Sequence, residues 1–450
     1  MTGPTLVFLH ALGASAREWE HVIDSLPEYA CVALDLPGFG GAAGAGHADV
    51  ATMTDWLADE IRSRRLVRCV VVGHSMGGKI ATLVAARAAA GETGLSGVLG
   101  VVLVAASPPA PEPMDDDRRA QMIGWFADGQ IARDDAATFV DANTVAPLPD
   151  PLRASAIDDV LHTSREAWLG WLERGSREDW RAAAGKITIP ALIVAGGEDG
   201  DLGEDAQRRL NVPHYVTSEV RVVANAAHLI PYERPQALAA LIRDHASQVA
   251  GSALPTAFAQ ILGSARVSER TRRVMLERLR PPRDAAPWSD AHHATLAALI
   301  AQILPDCGAD HRLAQRVAAG VAQGDGDGWR FADLPTDNDA WIRGLATLRR
   351  MTGGVAAQDT HVSAGLLENV AKGEAGIADD EAYLSPEQMK LWFEDVRAEV
   401  VRVWMSLPTT MAAIGYDGFA VGGDANRKQG YTRTAADDVE SWQSAPERAA

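Results

Sequence analysis

The sequence predicts an α/β protein: a doubly wound, mostly parallel sheet that carries a helical cap, followed by a mainly α-helical second domain. Three observations carry this. From Thr5 to about Val249 short apolar runs alternate with helical patterns. Between Pro108 and about Lys186 that rhythm stops, and after Gly251 the strand-like runs vanish. A chain of 450 residues also exceeds the usual size of one compact core, so more than one domain is expected.

The strand candidates are residues 6–9, 31–34, 67–72, 98–104, 191–195 and 219–223, each followed by a turn rich in small residues and a helix-like segment. Near-continuous apolar runs of this length mark strands covered on both faces of a parallel sheet. Residues 1–250 are therefore one α/β domain. Its cap, residues 108–186, shows helical spacing at Arg118 to Phe126 and Arg165 to Leu172. Residues 251–287 read as a linker and a first helix, and 288–450 as the helical domain. There Leu296, Leu299, Ile300, Ile303 and Leu304 share one helical face, as do Trp392, Val396, Val400, Val403 and Trp404. Ser385, with Glu387 shortly after it, caps a helix whose first turn suits Pro386. The tail from Tyr416 reads as loop.

The composition, 47% hydrophobic and 23% charged, is that of a globular protein. A formal net charge of -18, with no basic stripe interleaved with aromatics, argues against nucleic-acid binding. Three cysteines, Cys31, Cys69 and Cys307, imply no disulfide framework. No apolar stretch reaches the ~18 residues of a membrane span, and the N-terminus lacks a basic region with a cleavage site, so no membrane partner and a cytoplasmic location are expected.

The chemistry centres on Gly73-His74-Ser75-Met76-Gly77, between a strand and the helical run Lys79 to Ala90. A Gly-x-Ser-x-Gly match arises by chance roughly 0.3 times in a chain this long at average residue usage, so the strand–turn–helix context gives it weight. A serine hydroxyl becomes a nucleophile only when an imidazole takes its proton, and the imidazole needs a carboxylate to fix its tautomer. Asp199, at the end of the run from Ala191, supplies the carboxylate, with Asp201 and Asp205 as competitors in the same acidic loop. His228, on a small-residue loop beyond the last strand, supplies the base and completes the order Ser, Asp, His. His74 and His10 read as packing or loop-anchoring residues.

With these motifs in place, residues 4–249 resemble the α/β-hydrolase superfamily. Leu9-His10-Ala11-Leu12-Gly13-Ala14-Ser15 resembles the family's His-Gly loop, which implies the N–H groups of Leu12 and Met76 as oxyanion donors. Asp35 to Gly40 resembles the loop after the family's fourth strand and is read as structural. Two departures stand out. Ala11 occupies a position where the family usually has glycine, and the chain begins almost at the family's third strand, so one sheet edge is expected to be shorter or otherwise covered. With serine as nucleophile, the resemblance implies ester, lactone or thioester hydrolysis. Carbon–carbon bond hydrolysis, perhydrolysis and lyase chemistry are relatives on the same triad, whereas the dehalogenases and epoxide hydrolases use aspartate. Met114, Met122, Trp125, Phe126, Trp168 and Trp171 in the cap either line an apolar pocket or form a helical core.

Residues from about 288 to 440 resemble the gluconate 2-dehydrogenase subunit 3 family. The likeness lies in Leu296 to Asp306, in Tyr416-Asp417-Gly418-Phe419 and in Gly422-Gly423-Asp424. It implies a partner, a flavin-dependent (GMC-type) sugar or polyol dehydrogenase, and no chemistry of the domain's own. A non-catalytic accessory subunit of such an enzyme is the alternative reading for the whole chain. No cofactor or metal is expected: His292, His293, Cys307 and His311 fit no zinc spacing, and Asp325-Gly326-Asp327-Gly328 fails as a calcium loop at Trp329.

Overall fold

The structure, a computed structural model, describes residues 3–45, 49–127, 129–251, 254–280, 282, 285–305, 311–326, 331–353 and 362–419. Cys307, Asp327 to Trp329 and Gly422 to Asp424, singled out in the sequence, lie outside the described residues. The chain divides into two compact units. One is Met1–Glu277 with the described residues from Asp417 onward, and the other is Arg278–Tyr416. This division falls within the segment that the sequence reads as linker. The helices Thr256–Gly263 and Glu269–Glu277 fold with the first unit, where Phe258, Leu262 and Val267 are buried.

The first unit is built on six parallel strands: β1 Thr5–Leu9, β2 Cys31–Leu34, β3 Cys69–His74, β4 Val98–Val104, β5 Ala191–Gly196 and β6 Ser218–Val223. Their spatial order is β2-β1-β3-β4-β5-β6. The four inner strands are apolar and almost wholly buried, because helices cover both faces of a parallel sheet. The edge strands depart from the expectation of burial on both faces. β2 is half-buried and β6 alternates exposed and partly covered residues, since each has a neighbour on one side only. The order reverses between β1 and β3, and a crevice at the carboxyl ends of such strands is where open α/β sheets place their ligands. The register sets those ends level: Leu9 pairs with Gly73, Val104 with His74 and with Val194, and Val223 with Gly196.

The cap occupies the connection from β4 to β5. Helices Asp116–Gly124 and Arg165–Gly170 match the expected segments, and Arg133–Asp141 and Asp150–Leu161 add two that periodicity does not reveal. A single π-helical stretch, Trp171–Gly175, follows. It is held by two buried cations, one from the helix after β3 and one from within the cap: Lys79 Nζ donates to the Gly175 carbonyl at 3.0 Å, and Arg119 of the helix Asp116–Gly124 donates to the Leu172 carbonyl at 3.0 Å.

The second unit is built of helices joined by irregular segments, with no strand among its described residues. Asp290–Ile303, His311–Gln323, Asp337–Met351, Ala364–Lys372 and Pro386–Met405 surround a core containing Leu296, Leu299, Trp341, Leu345, Trp392 and Val396. Ser385 closes a capping box with Gln388: the serine hydroxyl accepts from the Gln388 N–H while the glutamine side chain accepts from the Ser385 N–H, and Pro386 occupies the first turn. Glu387, expected from the sequence to accompany the cap, instead accepts a hydrogen bond from the Ser385 hydroxyl at 3.0 Å.

Candidate active site

Each candidate residue sits just past the carboxyl end of a strand. Ser75 follows β3 and opens the helix Met76–Ala89, with φ 49° and ψ -116°, a left-handed conformation that costs a non-glycine residue strain. The strain is held by hydrogen bonds: the Ser75 N–H donates to the Val104 carbonyl at 2.9 Å, and the Ser75 carbonyl accepts from Gly78 and Ser107. The turn is so tight that a Cβ on Gly73 would lie 2.4 Å from the Gly77 carbonyl oxygen, and one on Gly77 would lie 2.6 Å from that of Leu9. Glycine at both positions is therefore a steric requirement.

Asp199 follows β5 and is almost wholly buried. Its Oδ2 is 2.8 Å from His228 Nδ1, and its Oδ1 accepts the Leu202 N–H at 3.1 Å. The competing acids point elsewhere: Asp201 pairs with Arg118 at 3.1 Å, and Asp205 is exposed on the helix Glu204–Leu210. Burial by itself raises the Asp199 pKa, but the charge and hydrogen bond of His228 outweigh it and leave the carboxyl below its ordinary value. For His228, burial lowers the pKa, the Asp199 carboxylate opposes it more strongly, and the net shift is upward. With Nδ1 engaged by the carboxylate, Nε2 is the nitrogen left for proton transfer.

Ser75, Asp199 and His228 line one cleft together with Leu12, Glu112 and Arg118. Met76 is the first residue of its helix, so its N–H has no intrahelical acceptor and belongs to the positive end of the helix dipole. The loop bearing Leu12 is anchored at His10, whose ring accepts the Leu36 N–H at 3.0 Å through Nε2 and bonds the Ala11 carbonyl through Nδ1 at 2.7 Å. Asp35 ties the same region together, accepting from the Ala16 and Gly41 N–H groups.

The apolar wall of the cleft comes from Met114, Met122, Phe139 and Trp171. Trp125, Phe126 and Trp168 do not line it. Trp168 and Phe126 are buried with rings 5.6 Å apart, Trp168 spends its indole N–H on the Met122 carbonyl at 2.9 Å, and Trp125 packs 6.4 Å from Trp168. These three rings form the hydrophobic core of the cap. Sequence reasoning missed Glu18, Glu112, Arg118 and Asn143, polar residues in segments without strand or glycine punctuation. Arg118 joins Asp201 to Asn143 Oδ1, and Glu112 accepts from the buried Ser107 hydroxyl at 2.6 Å.

Among the described residues no group of three or more His, Cys, Asp or Glu side chains is placed to hold a metal ion, and no helix is long and apolar enough to cross a membrane.

Residues 6–241 match the profile of the Alpha/beta hydrolase family. The 2-succinyl-6-hydroxy-2,4-cyclohexadiene-1-carboxylate synthase of an Enterobacter species is 27% identical over 246 residues, which cover 53% of this chain and 90% of that protein. The biotin biosynthesis bifunctional protein BioHC of Cellvibrio japonicus is 29% identical over 272 residues, 59% of this chain and 52% of that one, so the chain spans about half of that relative's length. Among solved structures, an esterase from Exiguobacterium antarcticum superposes with a TM-score of 0.49 at 21% identity, covering 55% of this chain and 92% of that one. The enol-lactonase from Burkholderia xenovorans gives 0.47 at 21% identity, with the same two coverages.

Proposed function

The chain belongs to the alpha/beta hydrolase family, and on that premise we propose that its first unit is a serine hydrolase of carboxylic esters or lactones. Ser75 Oγ attacks the acyl carbonyl while His228 Nε2 takes its proton. Asp199 holds the imidazole in the tautomer that leaves Nε2 free and stabilises the imidazolium as it forms. The N–H groups of Leu12 and Met76 receive the negative charge that develops on the carbonyl oxygen, and His228 returns its proton to the leaving alcohol. Water then attacks the acyl-enzyme by the same steps in reverse. The observation that carries this reading is the strained Ser75 turn sharing a cleft with an Asp199–His228 pair at 2.8 Å.

The test is labelling by a fluorophosphonate probe and hydrolysis of short p-nitrophenyl esters and sugar lactones, with the native chain beside Ser75→Ala. Label and turnover lost together in the variant support the reading. A native chain that takes no label and turns over no ester rejects it.

A second reading, carbon–carbon bond cleavage or a lyase reaction on the same triad, draws on the likeness to the cyclohexadiene carboxylate synthase. It is separated from the first by incubating the chain with that synthase's product and its immediate precursor and looking for interconversion. For the helical unit, the proposed role is association with a flavin-dependent sugar or polyol dehydrogenase, supported by the sequence resemblance of residues from about 288 to 440. Co-expression with such a dehydrogenase followed by gel filtration tests it, and separate elution rejects it.

A further inference from the structure

We propose that Glu18 and His74 form a buried positioning pair that fixes the oxyanion loop and the catalytic histidine against the nucleophile turn, an inference that rests on the serine hydrolase reading. His74 is the last residue of β3 and the immediate neighbour of Ser75, and Glu18 lies on the short 3-10 turn Ala16–Trp19. Both side chains are fully buried. His74 Nδ1 is hydrogen-bonded to Glu18 Oε1, Glu18 Oε2 accepts the Ala11 N–H at 3.1 Å, and His74 Nε2 is 2.8 Å from the His228 carbonyl oxygen. Three pieces of the machinery, from the loops after β1, β3 and β6, therefore meet on one pair.

Proton bookkeeping sharpens this. A carbonyl oxygen only accepts, so His74 Nε2 carries a hydrogen. One more proton then lies between Nδ1 and the carboxyl, as imidazolium with carboxylate or imidazole with carboxylic acid. The pair is neutral overall in either form. Burying two ionisable groups carries a desolvation cost that is offset only by good hydrogen-bond geometry, and an apolar pair of similar volume would pack without that cost. What an apolar pair lacks is direction. The bond to the Ala11 N–H orients the peptide preceding the Leu12 N–H, and the bond to the His228 carbonyl orients the backbone from which the imidazole projects. The His74 ring is itself held between Trp19 and His228, with centroids 6.3 Å and 5.1 Å away.

Two variants of the full chain separate positioning from packing. His74→Phe keeps a ring and removes both polar atoms. Glu18→Gln keeps the whole pattern, because the amide oxygen accepts from Ala11 and the amide N–H donates to Nδ1 of a neutral imidazole whose Nε2–H stays on His228. With p-nitrophenyl acetate, His74→Phe lowers kcat on the order of 100-fold, the scale of a roughly 1 Å misplacement, and leaves KM within about threefold. It slows fluorophosphonate labelling by a comparable factor, while Glu18→Gln stays within about fivefold of the native rate. Thermal melts confirm that the compared samples are folded. A native kcat in folded His74→Phe, or a loss that Glu18→Gln shares in full, overturns the inference. If the native chain neither labels nor hydrolyses, the hydrolase reading fails, and 15N-histidine NMR of that same chain still judges the pair: a hydrogen on His74 Nε2 supports it, and a bare Nε2 overturns it.

Discussion

The α/β unit and the helical unit bury tryptophans alike, Trp19 and Trp168 in the first and Trp341 and Trp392 in the second, but they differ in the polar matter they take inside. The first buries Glu18, His74, Lys79, Arg119 and Asp159 as well as Ser75. In the second, the buried polar residues among those described are Thr295, Thr347 and Thr410. Two of these hydroxyls, those of Thr295 and Thr347, donate to carbonyls one helical turn back, and that of Thr347 also accepts the Leu384 N–H at 2.9 Å, so the polar bonds are neutral and go to backbone. Burying charge opposes folding, so a region that retains it does so where direction matters, and a region without it is organised by packing alone. The proposed chemistry accordingly sits in the unit that buries charge.

The comparison breaks most visibly at Ser75. Ser75→Ala is expected to cut hydrolysis of a p-nitrophenyl ester by about five to six decades and to abolish fluorophosphonate labelling, with an unchanged melting transition. Retained turnover would move the chemistry elsewhere. Asp199→Asn comes next, at about four decades in kcat, since the carboxamide favours the wrong imidazole tautomer. A loss of the same size in Asp201→Asn instead would exchange the roles of the two acids.

In the helical unit the expected effect is on stability alone. Trp392→Ala empties a fully buried site and should destabilise that unit by about 3–5 kcal/mol in urea unfolding, with kcat unchanged. A matching fall in kcat would show that the two units are functionally coupled. Lys79 sharpens the other side. Burial depresses its pKa from 10.5 to about 8, so below pH 8 the ammonium is charged in both folded and unfolded chains and the folded state bears the whole burial cost. As pH rises past 8 the folded chain sheds this proton first, and stability should gain up to about 1.4 kcal/mol per pH unit until about pH 10.5. Urea midpoints measured across that range should lose this added slope in Lys79→Met.

The smallest effect is in the pH profile. With the His228 pKa raised by Asp199, kcat/KM should fall on the acid side through a pKa above the ordinary 6.5, because the base must be neutral to accept the serine proton. Rate measurements on the residual activity of Asp199→Asn should show that limb moved to lower pH.

The inner strands were legible because each is an apolar run, and the edge strand β6, which alternates, was legible from its valines and the small-residue loop after it; β2 and β4 coincide with the runs read from the sequence, and β3 is displaced by two residues, so that His74 closes the strand instead of belonging to the turn. The cap was less legible. Asp150–Leu161 scatters its apolar residues around the helix, so no periodic stripe announces it. The cap rings show the same limit. Spacing put Trp125, Phe126, Trp168 and Trp171 on helices, but whether a ring faces the cleft or the core depends on how four short helices lean together, and only Trp171 reaches the cleft.

By itself, then, the sequence determined the α/β sheet and the helical second half, and marked as candidates Ser75, His228 and an acidic loop with Asp199 at its head, because strand ends and tight turns are dictated by local chemistry: apolar runs, glycine where a Cβ will not fit, and chain order. Tertiary structure alone decided which acid meets the histidine, which aromatic rings face the cleft, and that Glu18 lies against His74. The two pairings join residues 29 and 56 positions apart, and the separation of two side chains in space is set by how layers pack, which no local pattern encodes.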